Sequence, residues 1–186
     1  MLRCRSSTGL CGDALSWALS GMGSNAGSPT SSSAAALGGR LLQLVGDRDA
    51  ARLSCEVSRV CAELHPTGGR PVYGDVLAWV VDATVGVVVA RLGGAGPEET
   101  LVLDVRFAEG RYVDGDALPA SERWVLRTVS AFLAEDLVEE ERSLTAAEQF
   151  DITLRAEILA DALIWLDFVL DVDLPDPPYM ATAQEG

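Results

Sequence analysis

The stretch that decides the fold is VYGDVLAWVVDATVGVVVARL, residues 72–92, the most apolar part of the chain. Because nearly every position is apolar, periodicity does not choose between a helix and strands. The length favours one central buried helix, whereas the valines favour strands that turn near Asp82. A membrane span is not expected, because Asp75, Asp82 and Arg91 divide the stretch below about 18 uncharged residues. We therefore predict an all-α bundle around a helix at 72–92, with an α+β fold containing an antiparallel sheet across 72–113 as the alternative.

Segments on both sides of this stretch have the apolar spacing of amphipathic helices. In residues 48–64, Leu53, Val57, Val60 and Leu64 recur at intervals of three and four, which places them on one buried stripe. Such helices could cover the central one from every side. Further helices are predicted at residues 12–22, 34–45, 121–137 with Ser121 as its N-cap, and 144–170 with a stripe of Leu154, Ile158, Ala162, Trp165 and Val169.

The remaining segments connect or extend these helices. Residues 23–33, GSNAGSPTSSS, are predicted to be a flexible linker, because such residues favour turns and solvated coil. Residues 100–114 alternate as a β-hairpin does. Residues 172–186 are expected to form a loose tail. We therefore expect one domain, residues 1–171, whose linker could permit helix exchange between two copies and hence a homodimer.

The charge of the chain is strongly negative and unevenly spread. Its net charge is -14, and all 14 basic residues are arginines, as in proteins from GC-rich genes. Residues 1–93 carry eight arginines and seven acidic residues, whereas residues 94–186 carry six and twenty-one, which gives +1 and -15. Because such a field repels phosphate backbones, no nucleic-acid partner is expected.

No set of residues in the sequence predicts an enzyme, a cofactor or a metal site. The four cysteines do not have the spacing of a metal clip, and the single histidine, His65, precedes a proline and a glycine pair that indicate a turn. The first thirty residues contain no apolar run of signal-peptide length. We therefore expect a non-enzymatic protein in a reducing, cytoplasmic compartment.

Four segments in chain order resemble motifs of the Bcl-2 family of apoptosis regulators. Residues 42–47, LQLVGD, resemble the family's third homology motif, with Leu42, Val45, Gly46 and Asp47 at the motif positions. A second interpretation of the same residues is that Gly46 ends one helix in a left-handed conformation and Asp47 caps the next. The other matching segments are DALSWALSG at 13–21, VCAEL at 60–64 with VYGDVLAWVV at 72–81, and RTVSAFLAEDL at 127–137.

The resemblance implies a groove that receives an amphipathic helix by its i, i+3, i+4 and i+7 side chains. Gly74 and Ala78 are small enough to let such a helix approach closely. Asp75 stands where the family usually has an arginine that pairs with the partner's aspartate, and Arg70 could substitute for it. The groove residues that the resemblance implies are Val57, Val60, Leu64, Arg70, Tyr73, Gly74, Asp75, Leu77 and Ala78.

The function that the resemblance implies is inhibition of apoptosis by a viral protein of the poxvirus type. Its partners would be pro-apoptotic Bcl-2-family proteins, bound through their death-motif helices. It would act in the cytoplasm of the host cell and reach mitochondria through those partners. The alternative, which does not depend on the resemblance, is an acidic α+β adaptor or immunity-type protein of a GC-rich bacterium or phage.

Overall fold

The computed structural model describes residues 29–62, 72–92 and 117–171, and within these ranges the chain is helical with no strands. The all-α prediction is therefore confirmed, and the alternative sheet across 72–113 is excluded for residues 72–92. The predicted helix at 12–22, the hairpin at 100–114 and the tail at 172–186 lie outside the described residues. The helices are α1 Pro29–Gly46, α2 Ala50–Ala62, α3 Val72–Leu92, α4 Ala120–Leu133, α5 Leu137–Gln149 and α6 Ile152–Asp171.

The helix α3 is the centre of the bundle and contacts each of the other five described helices. Because it is surrounded, buried side chains occur all around its circumference, among them Tyr73, Val76, Leu77 and Val80. By length and composition α3 could also cross a membrane, but most of it is buried inside the bundle, and the core helix of a soluble protein meets the same criterion. The predicted central helix thus has the predicted bounds, residues 72–92.

The other helices turn apolar stripes toward α3 and toward one another. Between them lies one continuous core, which also receives the side chains of α1 through Leu37 and Leu41. At one end of α3, the Arg91 guanidinium donates a hydrogen bond to the Leu170 carbonyl near the end of α6. The main buried contributions of the remaining helices are Val57 and Val60 from α2, Val125 and Val129 from α4, Ala147 from α5, and Ile158, Leu159, Ala162, Leu163 and Leu166 from α6.

The helices α1 and α6 differ in extent from the sequence predictions. The helix α1 begins at Pro29 rather than at residue 34, so the last five residues of the predicted linker at 23–33 are helical. A proline is well suited to the first helical position, because the N–H that it lacks would have no partner there. The predicted helix at 144–170 is two helices, because Asp151 interrupts it and accepts hydrogen bonds from the N–H groups of Thr153 and Leu154.

The turns after α1 and α4 have the same construction. In each, a non-glycine residue adopts a left-handed conformation, Arg48 with φ 55° and Glu135 with φ 53°. The N–H of the next residue, Asp49 or Asp136, bonds to a carbonyl five residues earlier, as in a Schellman motif. The carboxylate of the same aspartate then caps the following helix. One residue therefore serves both the end of one helix and the start of the next.

These turns correct two sequence predictions. The left-handed residue after α1 is Arg48 and the cap of α2 is Asp49, each two positions later than the assignment to Gly46 and Asp47. Ser121 does not cap α4, because the helix begins at Ala120, its N-cap is Pro119, and Ser121 is buried within the first turn. The helix also ends at Leu133 rather than at residue 137, where the left-handed turn at Glu135 follows.

Candidate functional site

An apolar cleft lies between α2 and the first half of α6. Its volume is about 470 Å³. The floor and walls are mainly aliphatic, and Glu157 is the one charged residue among those that line it. We call it the α2/α6 cleft, and its lining residues are Ala50, Leu53, Ser54, Val57, Ser58, Ile152, Thr153, Ala156, Glu157 and Ala160.

Small side chains on the facing surfaces of the two helices account for the cleft. Ala156 and Ala160 on α6 face Ser54 and Ser58 on α2, and none of these side chains is long enough to fill the space between the helices. Because helices pack well only where side chains interdigitate, small residues on both sides leave a depression at the surface. The α2/α6 cleft is therefore a consequence of the sequences of both helices.

The apolar surface of the cleft continues around α6 onto its outer face. Ile152, Ala156, Ala160, Ile164 and Phe168 recur every four residues along the helix. Each step of four residues turns about 40° around the helix axis, so the row winds from the α2/α6 cleft at Ile152 to the outer face at Ile164 and Phe168. Ile152 is 52% exposed, and Ile164 and Phe168 are each 53% exposed. The Phe168 ring meets the Trp165 ring edge to face, with centroids 6.0 Å apart. We call these five residues the α6 row.

Carboxylates accompany the α6 row. Glu157 and Asp161 each follow an alanine of the row, and Asp167 precedes Phe168. Burial raises the pKa of Asp167, the like charge of Asp171 raises it further, and Arg48 lowers it. The only basic residue of α6, Arg155, lies instead over the buried Tyr73 ring, 4.9 Å from its centroid. The surface beside the α6 row is consequently acidic.

Most of the residues that the resemblance places in a groove are part of the protein interior. Val60, Tyr73 and Leu77 have 0% exposure, and Val57 has 3%. Of the predicted groove residues, Val57 is the one that also lines the α2/α6 cleft. The structure thus brings Val60, Tyr73 and Leu77 together in the core rather than at an open surface. The predicted groove residues Leu64 and Arg70 lie outside the described residues.

Three further predicted groove residues lie in the first two turns of α3. Gly74 is buried, and a Cβ atom added there would overlap the carboxylate of Glu148 on α5. The small size of Gly74 therefore accommodates a neighbouring helix of the same chain. Asp75 and Ala78 are partly exposed. None of the three lines the α2/α6 cleft.

The surroundings of Tyr73 form a small polar region inside the bundle. Burial raises the pKa of the Tyr73 hydroxyl well above its usual value, and this hydroxyl has no hydrogen-bond partner within the described residues. Burial likewise raises the pKa of the Cys61 thiol, although Arg155 partly counteracts it. A buried thiol with a raised pKa is a poor nucleophile at neutral pH. Cys61 therefore acts as a small core residue.

The four residues of the LQLVGD motif lie at the end of α1. Leu42 is buried in the core and Val45 packs against it, whereas Gly46 and Asp47 are exposed. Gly46 faces α6, where a Cβ atom added to it would lie 3.8 Å from the Asp167 carboxylate. The apolar half of the motif is thus structural, and the polar half forms the turn into α2.

The sequence predicted only the inward stripe of the helix at 144–170, and the α6 row was not among its predictions. The signal was present as apolar residues at every fourth position from Ile152 to Phe168.

Within the described ranges no group of three histidine, cysteine or acidic residues could hold a metal ion. No protein-family model, curated protein or solved structure matches the chain.

Proposed function

We propose that this protein binds an amphipathic helix of another protein in the α2/α6 cleft. The observation that carries the proposal is an open apolar cleft between two helices that continues into an exposed apolar row. A visiting helix could lay side chains at i, i+3, i+4 and i+7 into such a depression. Burying apolar surface of this kind contributes about 25 cal/mol per Å² removed from water.

The resemblance to the Bcl-2 family suggests who the partners are. Pro-apoptotic members of that family present amphipathic death-motif helices, and a viral protein that sequesters them would inhibit apoptosis in the host cytoplasm and at mitochondria. The cleft lies beside Val57 rather than over Val60 and Tyr73. In this proposal the partner helix therefore contacts α2 and α6, and the core beneath α2 stays closed.

A second candidate is an acidic adaptor of a GC-rich bacterium or phage, in an all-α form. The exposed carboxylates beside the α6 row favour it, because they suit a positively charged partner. This candidate needs the same cleft but not the resemblance. The two candidates differ in the helix that each would bind.

The test is a titration of fluorescent death-motif helix peptides from pro-apoptotic proteins with the full chain. We expect at least one of these peptides to bind the full chain with a dissociation constant below about 1 μM. Ala156→Glu should weaken that binding at least tenfold, because it places a longer charged side chain in the cleft. Ala146→Glu is the matched control, since Ala146 is a partly buried alanine of α5 outside the cleft.

Circular dichroism of both variants separates loss of binding from loss of fold. If no death-motif peptide binds, the proposed partner class is wrong. If a peptide binds and both variants weaken it equally, the location in the α2/α6 cleft is wrong.

A further inference from the structure

The outer face of α6 combines the exposed end of the apolar row with negative charge. In an α-helix consecutive residues are separated by about 100° around the axis, so Asp161 and Asp167 lie on opposite sides of Ile164, and the positive charge of Arg48 lies near Asp167. Glu157 and Asp171 are exposed on the same outer part of the helix. Of the large apolar side chains that the structure describes, Ile164 and Phe168 are among the few that are more than half exposed.

From this arrangement we infer that the partner is an amphipathic helix whose apolar ridge is flanked by arginine or lysine. The inference rests on the proposed helix-binding function and adds the chemistry of the partner. A basic flank can pair with Glu157, Asp161 and Asp171 while its ridge covers Ile164 and Phe168. An acidic flank would place like charges against them, which disfavours the complex.

The charge also argues against other occupants of this face. A second copy of the chain would bring the same carboxylates of Glu157, Asp161 and Asp171 together, because a two-fold interface joins identical surfaces. Nucleic acid and anionic membrane surfaces would be repelled for the same reason. A positively charged helix is the occupant that gains from both the apolar row and its acidic borders.

The exposed outer face sets the length of the partner. From Glu157 to Asp171 the helix advances fourteen residues, and at 1.5 Å per residue this is about 21 Å. A partner helix of about four to five turns would therefore span Ile164 and Phe168 and reach the carboxylates at both ends of this face. Its apolar side chains would recur every three or four residues, with basic side chains beside that stripe.

Three designed peptides test the inference on the full chain. They share one apolar ridge of four to five turns and differ only in flanks of arginine, glutamine or glutamate. Fluorescence anisotropy at about 0.01 M salt, where the Debye length is about 30 Å, should show the arginine peptide binding about tenfold tighter than the glutamate peptide. At about 1 M salt, where the Debye length is about 3 Å, the difference should shrink to about twofold or less.

Two pairs of variants locate the effect on α6. The double variant Glu157→Gln with Asp161→Asn should weaken the arginine peptide about threefold and leave the glutamine peptide unchanged. Its control, Glu135→Gln with Glu141→Gln, removes the same charge from exposed positions outside α6. Phe168→Ser should weaken the arginine and glutamine peptides at least tenfold, whereas the control Val138→Ser on α5, which is also exposed, should not.

The outcomes separate this inference from the proposed function. Equal affinity of the three peptides at low salt overturns the inference and leaves helix binding in place. If the arginine peptide binds but no death-motif peptide does, the pro-apoptotic partner class fails and the inference stands. If no peptide of either kind binds, both fail. Self-association of the chain that Phe168→Ser abolishes would make a second copy the occupant and would also overturn the inference.

Discussion

The helices α3 and α6 are nearly equal in length, 21 and 20 residues, yet the bundle covers them very differently. Both are mostly apolar. The helix α3 is surrounded by all five of the other described helices, whereas α6 leaves Ile164 and Phe168 half exposed on its outer face. Composition therefore shows that both helices belong to the bundle but not how much of each is covered.

The positions of the charged residues explain the difference. The acidic residues of α3, Asp75 and Asp82, are separated by two turns of apolar side chains. The helix α6 carries twice as many acidic residues, which are Glu157, Asp161, Asp167 and Asp171, and Glu157 and Asp171 are exposed. Burying all four carboxylates would cost more free energy than burying the neighbouring apolar side chains would gain, because each carboxylate would lose its water. The outer face of α6 therefore stays exposed, and its apolar residues remain available to a partner.

The largest expected effect tests whether α3 is the structural helix and α6 the binding helix. Leu77→Ala should lower the free energy of unfolding by about 2–5 kcal/mol, because Leu77 is completely buried. Ile164→Ala should lower it by about 1 kcal/mol or less, because half of that side chain is already exposed. Urea unfolding followed by circular dichroism measures both. Equal losses would mean that Ile164 is covered in solution and would remove the contrast between the two helices.

A glycine pair in α1 tests how closely that helix packs on α3. A Cβ atom added at Gly38 would overlap the Trp79 ring, whereas one added at Gly39 meets nothing within 4 Å. Gly38→Ala should therefore destabilise the protein by about 1–3 kcal/mol through overpacking. The adjacent Gly39→Ala should stabilise it by up to about 1 kcal/mol, because alanine favours the helix. A stabilising Gly38→Ala would show that α1 does not lie against Trp79.

The sequence predicted the central helix and its bounds because few arrangements can bury residues 72–92. An apolar stretch of that length needs cover on every side, and amphipathic helices flank it. The turns were harder to predict from the sequence. Arg48 and Glu135 adopt the left-handed conformation that usually favours glycine, because it costs other residues about 1–2 kcal/mol. The better signals were Asp49 and Asp136, whose carboxylates cap the next helices.

The site was harder to predict than the fold, because the same apolar residue types occur in a protein core and in a binding groove. Val60 and Tyr73 suit a groove by residue type, but the structure buries them completely. What distinguishes the α6 row is its position relative to two neighbouring helices, which depends on packing across the chain. The repeated spacing from Ile152 to Phe168 predicts a row, and only the fold shows that the row is open.

The smallest effect concerns the charge inside α3. Burial raises the pKa of Asp82 from 3.8, so the folded protein holds that proton more tightly than the unfolded chain does. The corresponding stability is fully present below the unfolded pKa and is lost as the pH rises through the folded one. Asp82→Asn should therefore be more stable than the natural chain at pH 7, by up to about 0.5 kcal/mol in the free energy of unfolding. This gain in stability should disappear at about pH 4. Urea unfolding between these pH values measures it.

Glu139 on α5 supplies a control of opposite sign. Hydrogen bonds from Arg127, and then from Arg142, lower the pKa of this carboxyl from 4.5. Its stabilising effect is therefore present above the unfolded pKa and is lost as the pH falls through the lowered folded one. Glu139→Gln should be less stable than the natural chain at pH 7, and the difference should vanish in acid. If both variants instead changed stability in the same direction, net charge alone would explain them, and the burial of Asp82 would contribute nothing to the difference.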